Sequence, residues 1–214
     1  MEFRILGPLE VRGEHGLVTL GRAKPRAILA ILVLHANEPV SAERLALSLW
    51  GDDAPTGATK TVQVHVSRLR KALGSTEVIS TTPAGYRLRV DPGELDLERF
   101  EHLVEEGRRE LAVGRAASAA EVVREALSLW RGAPLAELSN EPFAAVEIAR
   151  LEEQRIAALE LRIEAGLAAG RDAELIGELQ HLVADHPLRE RLHAQLMLAL
   201  YRAGGQADAL DASG

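Results

Sequence analysis

The apolar pattern changes character at Asp91-Pro92-Gly93, and this change constrains the fold more than any other feature of the chain. Before it, short runs of β-branched and large apolar residues alternate with helical periodicities. From Leu95 onward the strand signals vanish, and Leu, Ala, Glu and Arg recur at helical spacing. Such a chain calls for a small α+β unit followed by an all-α one, with domains expected at residues 1–92 and 95–214. The 214 residues, 47% hydrophobic and 27% charged, suffice for two modest cores and argue against disorder.

Charge divides at nearly the same place. Residues 1–90 carry 12 Lys and Arg against 8 Asp and Glu, whereas residues 91–214 carry 13 against 24. A polyanion-binding module joined to an acidic partner-binding module has this asymmetry, although an acidic helical region is equally compatible with a plain solvated surface. With no cysteine, disulfides, thiolate metal sites and cysteine nucleophiles are excluded, and a reducing compartment is fitting. No cationic leader with an apolar run and small-residue cleavage site opens the chain. Its longest apolar stretch, Ala27 to Leu34, is far too short for a membrane span, so the expectation is a cytoplasmic protein without membrane contact.

Within the first part, FRILGPLEVRG and GLVTLG predict three short antiparallel strands broken at Gly7-Pro8 and around Gly13 to Gly16. Pro25 suits the first turn of a mostly buried helix continuing through Ala27 to His35. Ser41 is placed to cap a second helix, SAERLALSLW, which Gly51 ends. A third helix spans Lys60 to Leu73, and VISTTPAGYRLRV then predicts a hairpin turning at Pro83-Ala84-Gly85.

The third helix carries two chemistries. At about 100° per residue, Val62, Val66, Leu69 and Leu73 form one core stripe. Lys60, Val64, Ser67, Arg68 and Lys71 fall opposite, with Thr61 beside Arg68, and Arg70 and Gln63 on a flank. No Asp or Glu occurs from Ala54 through Thr76, so nothing acidic nearby cancels this face. A positive helix preceded by another and followed by a hairpin is the order of a winged helix-turn-helix, whose second helix enters the major groove while the hairpin reaches the minor groove. In that use Arg68 offers a bidentate fork to guanine, Val64 meets a thymine methyl, and Lys60 and Lys71 sit on phosphates. Arg87 on the hairpin, and Lys24 and Arg26 at the start of the first helix, are further candidates for phosphate, against the alternative of ordinary surface residues. His65, near the edge of the core stripe, is expected to pack or orient rather than touch a base.

No catalytic, metal or cofactor site is expected. GDDAPTGATKT lacks the Gly-Lys-Ser/Thr step of a phosphate-binding loop. Asp52 and Asp53 suit a solvated turn. His181, His186 and His193 are not spaced to share one helical face and Pro187 interrupts them. In the all-α part a turn signature recurs at Gly114-Arg115-Ala116, Gly170-Arg171-Asp172-Ala173 and Gly204-Gly205-Gln206-Ala207. The second and third lie 34 residues apart, the helix-turn-helix period of tetratricopeptide arrays. The first interval is 56, with the loop around RGAPLAELSNEPF accounting for the excess.

The segments FRILGPLEV, LALSLWGDDAP, TVQVHVSRLRKAL, GYRL, LDLERFEHLVEEGR, LWRGAPLAEL and HPLRERLHAQLMLALYRAGGQADAL together resemble the Streptomyces antibiotic regulatory proteins over nearly the whole chain. That resemblance implies an OmpR-type winged helix followed by a tetratricopeptide-like bacterial transcriptional activation domain. It also implies an activator that binds direct repeats of double-stranded DNA near the promoter −35 element, as a dimer or oligomer on DNA. Such an activator recruits RNA polymerase holoenzyme through its principal sigma factor, to switch on an antibiotic biosynthetic cluster. Carried over by position, the recognition residues are Lys60, Thr61, Val64, Ser67, Arg68, Arg70 and Lys71, and the wing runs from Thr81 to Arg87. Thr82 stands in the first wing strand where many relatives have arginine. After ALYRAGGQADAL the family usually continues through further helix, so the last repeat is expected to be truncated. Larger members add a nucleotide-hydrolysing domain absent from these residues. The competing reading is a tetratricopeptide-type adaptor whose winged helix binds protein.

Overall fold

A computed structural model describes Met1–Gly204. The chain opens with β1 (Glu2–Arg4), β2 (Glu10–Gly13) and β3 (Gly16–Leu17), an antiparallel sheet in that order with Phe3 opposite Val11 and Arg12 opposite Leu17. Next comes α1 (Ala23–Leu34), buried from Ala27 through Val33, as its lack of a polar face requires. After it, α2 (Ala42–Trp50) starts at the expected cap, where the Ser41 hydroxyl accepts the Arg44 N–H at 3.1 Å. A short 3-10 turn leads to α3 (Ala58–Ala72), which begins two residues before Lys60.

The hairpin follows as β5 (Ile79–Thr82) and β6 (Gly85–Leu88). A two-residue strand the sequence did not disclose, β4 (Pro39–Val40), pairs with the other side of β6, giving the order β4-β6-β5. The core joins Phe3, Ile5, Leu6 and Val11 to α1, to Leu45 and Leu49, to Val62, Val66, Leu69 and Leu73, and to Ile79 and Leu88; none is more than 5% exposed.

The remaining helices are α4 (Asp96–Ala112), α5 (Ala116–Ser128), α6 (Ala144–Ala168), α7 (Asp172–Asp185) and α8 (Glu190–Arg202). Compactness divides the chain differently from its apolar pattern. One unit comprises Met1–Phe100 together with Leu129–Glu153, and the other Glu101–Ser128 with the described residues from Gln154 onward. The segment read from sequence as a long loop of the helical part is therefore stitched onto the first sheet. Arg131 N–H donates to the Leu6 carbonyl at 2.8 Å, and Leu135 N–H to the Gly7 carbonyl at 2.7 Å. The Glu137 carboxylate accepts from Leu9 N–H at 2.9 Å, and Arg131 pairs with Glu10 at 3.0 Å. Phe100 meets Trp130 edge to face, ring centroids 5.4 Å apart.

In the second unit Ile163 and Leu167 of α6, Leu175 and Leu179 of α7, and Leu192, Leu196 and Ala199 of α8 share one core. Ala119, Ala120 and Ala165 form another, where small residues let helices approach closely. The recurring turn glycines Gly114 and Gly170 take left-handed φ values of +79° and +76°, which end a helix at little cost only in glycine. Of the third turn only Gly204 is described. Gly205 to Gly214, and with them the expected truncated repeat, lie outside the described residues.

Candidate nucleic-acid interface

Burial on α3 follows the two-faced reading. Val62, Val66 and Leu69 are buried, whereas Lys60, Val64, Ser67, Arg68 and Lys71 are exposed. Val64 is 47% exposed, an apolar side chain left in water at the centre of a cationic face. Thr61 is half-buried, and its hydroxyl reaches back to the Gly57 carbonyl at 3.4 Å. The first turn of α3 contains no acidic residue and its last turn holds Arg70 and Lys71.

Ion pairing sorts the cations of this unit. The side chains of Lys60, Arg68, Lys71 and Arg87 make no hydrogen bond or ion pair among the described residues. Arg22 shares that condition, is exposed, and borders the same cleft as Arg68. Sequence reasoning passed over Arg22 because it sits just before the helix. Its distinguishing mark is the absence of a partner, which no local pattern reveals. Arg87 alternates with buried Tyr86 and Leu88, so it projects from the outer side of β6.

Three of the expected DNA contacts have partners within the fold. Lys24 donates to the Leu49 carbonyl at 3.0 Å and to Glu141 at 2.8 Å, and lies 5.7 Å from the centre of the Trp50 ring. Arg26 donates to the Leu9 carbonyl at 2.8 Å and pairs with Glu137. Both cations are thus neutralised by carboxylates more than 100 residues away in sequence, which the fold brings to the start of α1. Arg70 turns its guanidinium to the hairpin, with Nε 2.7 Å from the Ile79 carbonyl and a terminal nitrogen 2.7 Å from Thr81 Oγ1. At the wing tip, the Thr82 hydroxyl donates to the Gly85 carbonyl at 3.1 Å, bracing the turn.

His65 borders a cleft of about 530 Å³ with Arg22, Lys24 and Arg68, and its Nδ1 is buried without a partner. Burial, then Arg68 and Lys24, hold its pKa below the ordinary 6.5. Burial, then Arg44, act in the same direction on His35. Both imidazoles therefore take up protons less readily folded than unfolded. Their stabilising effect is complete above 6.5 and is lost as pH falls through the depressed folded values. Melting temperature is expected to drop between pH 7 and pH 5, and His65→Gln to shrink that drop; an unchanged drop in the variant would remove His65 as a contributor.

Among the described residues no group of three His, Asp or Glu could hold a metal ion, and no helix is long and apolar enough to cross a membrane. Residues 18–88 match the family model for the C-terminal domain of transcriptional regulatory proteins, and residues 95–212 the bacterial transcriptional activator domain. The chain is 39% identical to regulatory protein DnrI of Streptomyces peucetius, covering 99% of this chain and 82% of that one. It is 38% identical to regulatory protein AfsR of Streptomyces griseus over 98% of its length but only 21% of the relative's. A solved structure of Mycobacterium tuberculosis EmbR in complex with a low affinity phosphopeptide superposes with a TM-score of 0.95 at 36% identity, over 99% of this chain and 57% of that one.

Proposed function

Because the chain belongs to the Streptomyces antibiotic regulatory protein family of transcriptional activators, we propose that it reads direct DNA repeats near a −35 element and activates a secondary-metabolite cluster. On this reading it recruits RNA polymerase holoenzyme through the principal sigma factor, and two copies act on adjacent repeats. The observation that carries the DNA-binding part is the pairing pattern. Cations on the core side of the unit are neutralised by carboxylates, while Lys60, Arg68, Lys71, Arg22 and Arg87 are left without partners. An unpaired cation gains most from a phosphate or a guanine edge, because no internal partner must be given up.

In the bound state Arg68 forks onto guanine O6 and N7, and Val64 covers a thymine methyl. Thr61 and Ser67 add hydroxyl contacts, and Lys60, Lys71, Arg22 and Arg87 neutralise phosphates. Val64 and Arg68, one turn apart, would read neighbouring base pairs.

Footprinting over promoter fragments from the source genome, followed by anisotropy titrations across salt, tests the reading. Wild-type affinity should fall steeply with salt, at a log–log slope near about −0.9 per phosphate contact. Arg68→Ala should cost about 1–3 kcal/mol at the footprinted site and flatten base preference, whereas Lys71→Ala should weaken all duplexes alike and reduce the slope by about one. Affinity without salt dependence would favour the protein-adaptor alternative and remove the DNA reading.

A further inference from the structure

Arg70 occupies the flank of α3, between the core stripe and the exposed cationic face, and is half-buried. Its three anchors all belong to the hairpin. Nε meets the Ile79 carbonyl and a terminal nitrogen meets Thr81 Oγ1, each at 2.7 Å, and the guanidinium carbon lies 5.9 Å from the centre of the Tyr86 ring. Ile79 and Thr81 lie on β5, Tyr86 lies on β6, and Thr81 and Tyr86 are register partners. One side chain thus grips both strands of the wing at the same level.

The chemistry demands arginine. Only a planar fork can direct two N–H groups along different lines while presenting a flat face to an aromatic ring; an ammonium is a point donor without that face. β5 is an edge strand of the β4-β6-β5 sheet, so some of its backbone groups have no strand to pair with, and Arg70 takes one of their carbonyls.

We propose that Arg70 is a positioning residue that locks the wing to the recognition helix, setting the offset at which the two meet adjacent grooves. This rests on the DNA-binding reading above. β6 is held through its pairs with β4 and through buried Leu88, whereas β5 is the outer strand; Arg70 links that strand directly to the recognition helix, so the wing's angle to α3 is set before the duplex arrives and the ordering cost is not charged against binding. Arg70 then raises affinity without touching DNA.

The test compares the full chain with Arg70→Ala, Arg70→Lys and Thr81→Val. In the free protein, Arg70→Ala is expected to speed amide exchange at Ile79–Leu88 by roughly tenfold, as two lost hydrogen bonds imply, while exchange in the core of α1 stays unchanged. Arg70→Lys should not restore protection, and Thr81→Val should give a smaller acceleration of the same amides. Unchanged hairpin exchange in Arg70→Ala, or full rescue by lysine, overturns the strut whether or not the protein binds DNA. On a footprinted duplex, Arg70→Ala should lose the minor-groove hydroxyl-radical protection and keep the major-groove protection, with the salt slope of the wild type. A slope reduced by about one would instead make Arg70 a phosphate contact and end the proposal. If the wild type itself shows no salt-dependent affinity, the DNA reading fails, and the exchange arm still decides whether Arg70 holds the hairpin.

Discussion

Asp96→Ala is expected to destabilise the first unit by about 3–5 kcal/mol, a large share of the roughly 5–15 kcal/mol that holds a typical domain together. Asp96 is only 3% exposed, yet it is charged chemistry at the start of α4. One carboxylate oxygen accepts from Ile5 N–H at 2.9 Å, the other from Ile5 and Leu6 N–H at 3.0 Å each, and the Arg131 guanidinium lies 3.8 Å away. Burial pushes its pKa up, against the pull of those amides and of Arg131. Alanine would leave two buried N–H groups without acceptors, each a loss of about 1–3 kcal/mol, and would remove a carboxylate facing Arg131. Urea denaturation should show a lower midpoint with a similar slope. Asp96→Asn, which keeps one acceptor oxygen, should fall between alanine and wild type. A shift of less than about 1 kcal/mol in Asp96→Ala would mean that these amides find other partners and that Asp96 does not tie the segment after β1 to the start of α4.

The same group of contacts explains what was and was not legible in the sequence. The two faces of α3, the Ser41 cap, the buried α1 and the hairpin are local: periodicity, a hydroxyl three residues before an N–H, and β-branched runs around a turn all report on neighbours in the chain. Lys24 and Arg26 looked like Arg22, three basic residues at the start of one helix. What separates them is the arrival of Glu137 and Glu141, and no periodicity encodes that encounter. Leu129–Glu153 likewise reads as more of a helical region, because composition reports which element a segment forms and not which core it joins. Periodicity puts Arg70 on the flank of α3, but the direction of its side chain depends on where the hairpin lies. β4 is two residues long, too short for alternation to register. The residues whose pairing the sequence leaves open are thus those whose partners are distant in the chain, and Arg22 differs from its neighbours in having none among the described residues.

Gly85→Ala is expected to be the most damaging change in the wing, at about 3 kcal/mol or more. From sequence Gly85 is simply part of the Pro83-Ala84-Gly85 turn. In the fold it opens β6 with φ +131°, where an alanine is strained, and it faces backbone rather than space. An added Cβ would lie 2.2 Å from the Val40 carbonyl oxygen, 2.5 Å from its carbon and 2.7 Å from the Ser41 Cα. None of these atoms can swing aside as a side-chain end could. Relief requires β4 and β6 to part, and with them the pairs Val40–Tyr86 and Pro39–Arg87. Since Ser41 also caps α2, the disturbance reaches the helix that supports α3. A lower urea midpoint, faster amide exchange through Gly85–Leu88 and weaker duplex binding should appear together. Gly177→Ala in α7, where the new methyl meets nothing within 4 Å and glycine is a poor helix former, supplies the control and should show no loss. A Gly85→Ala protein with the wild-type midpoint would show that the close approach of Val40 to the wing is not what holds this sheet in register.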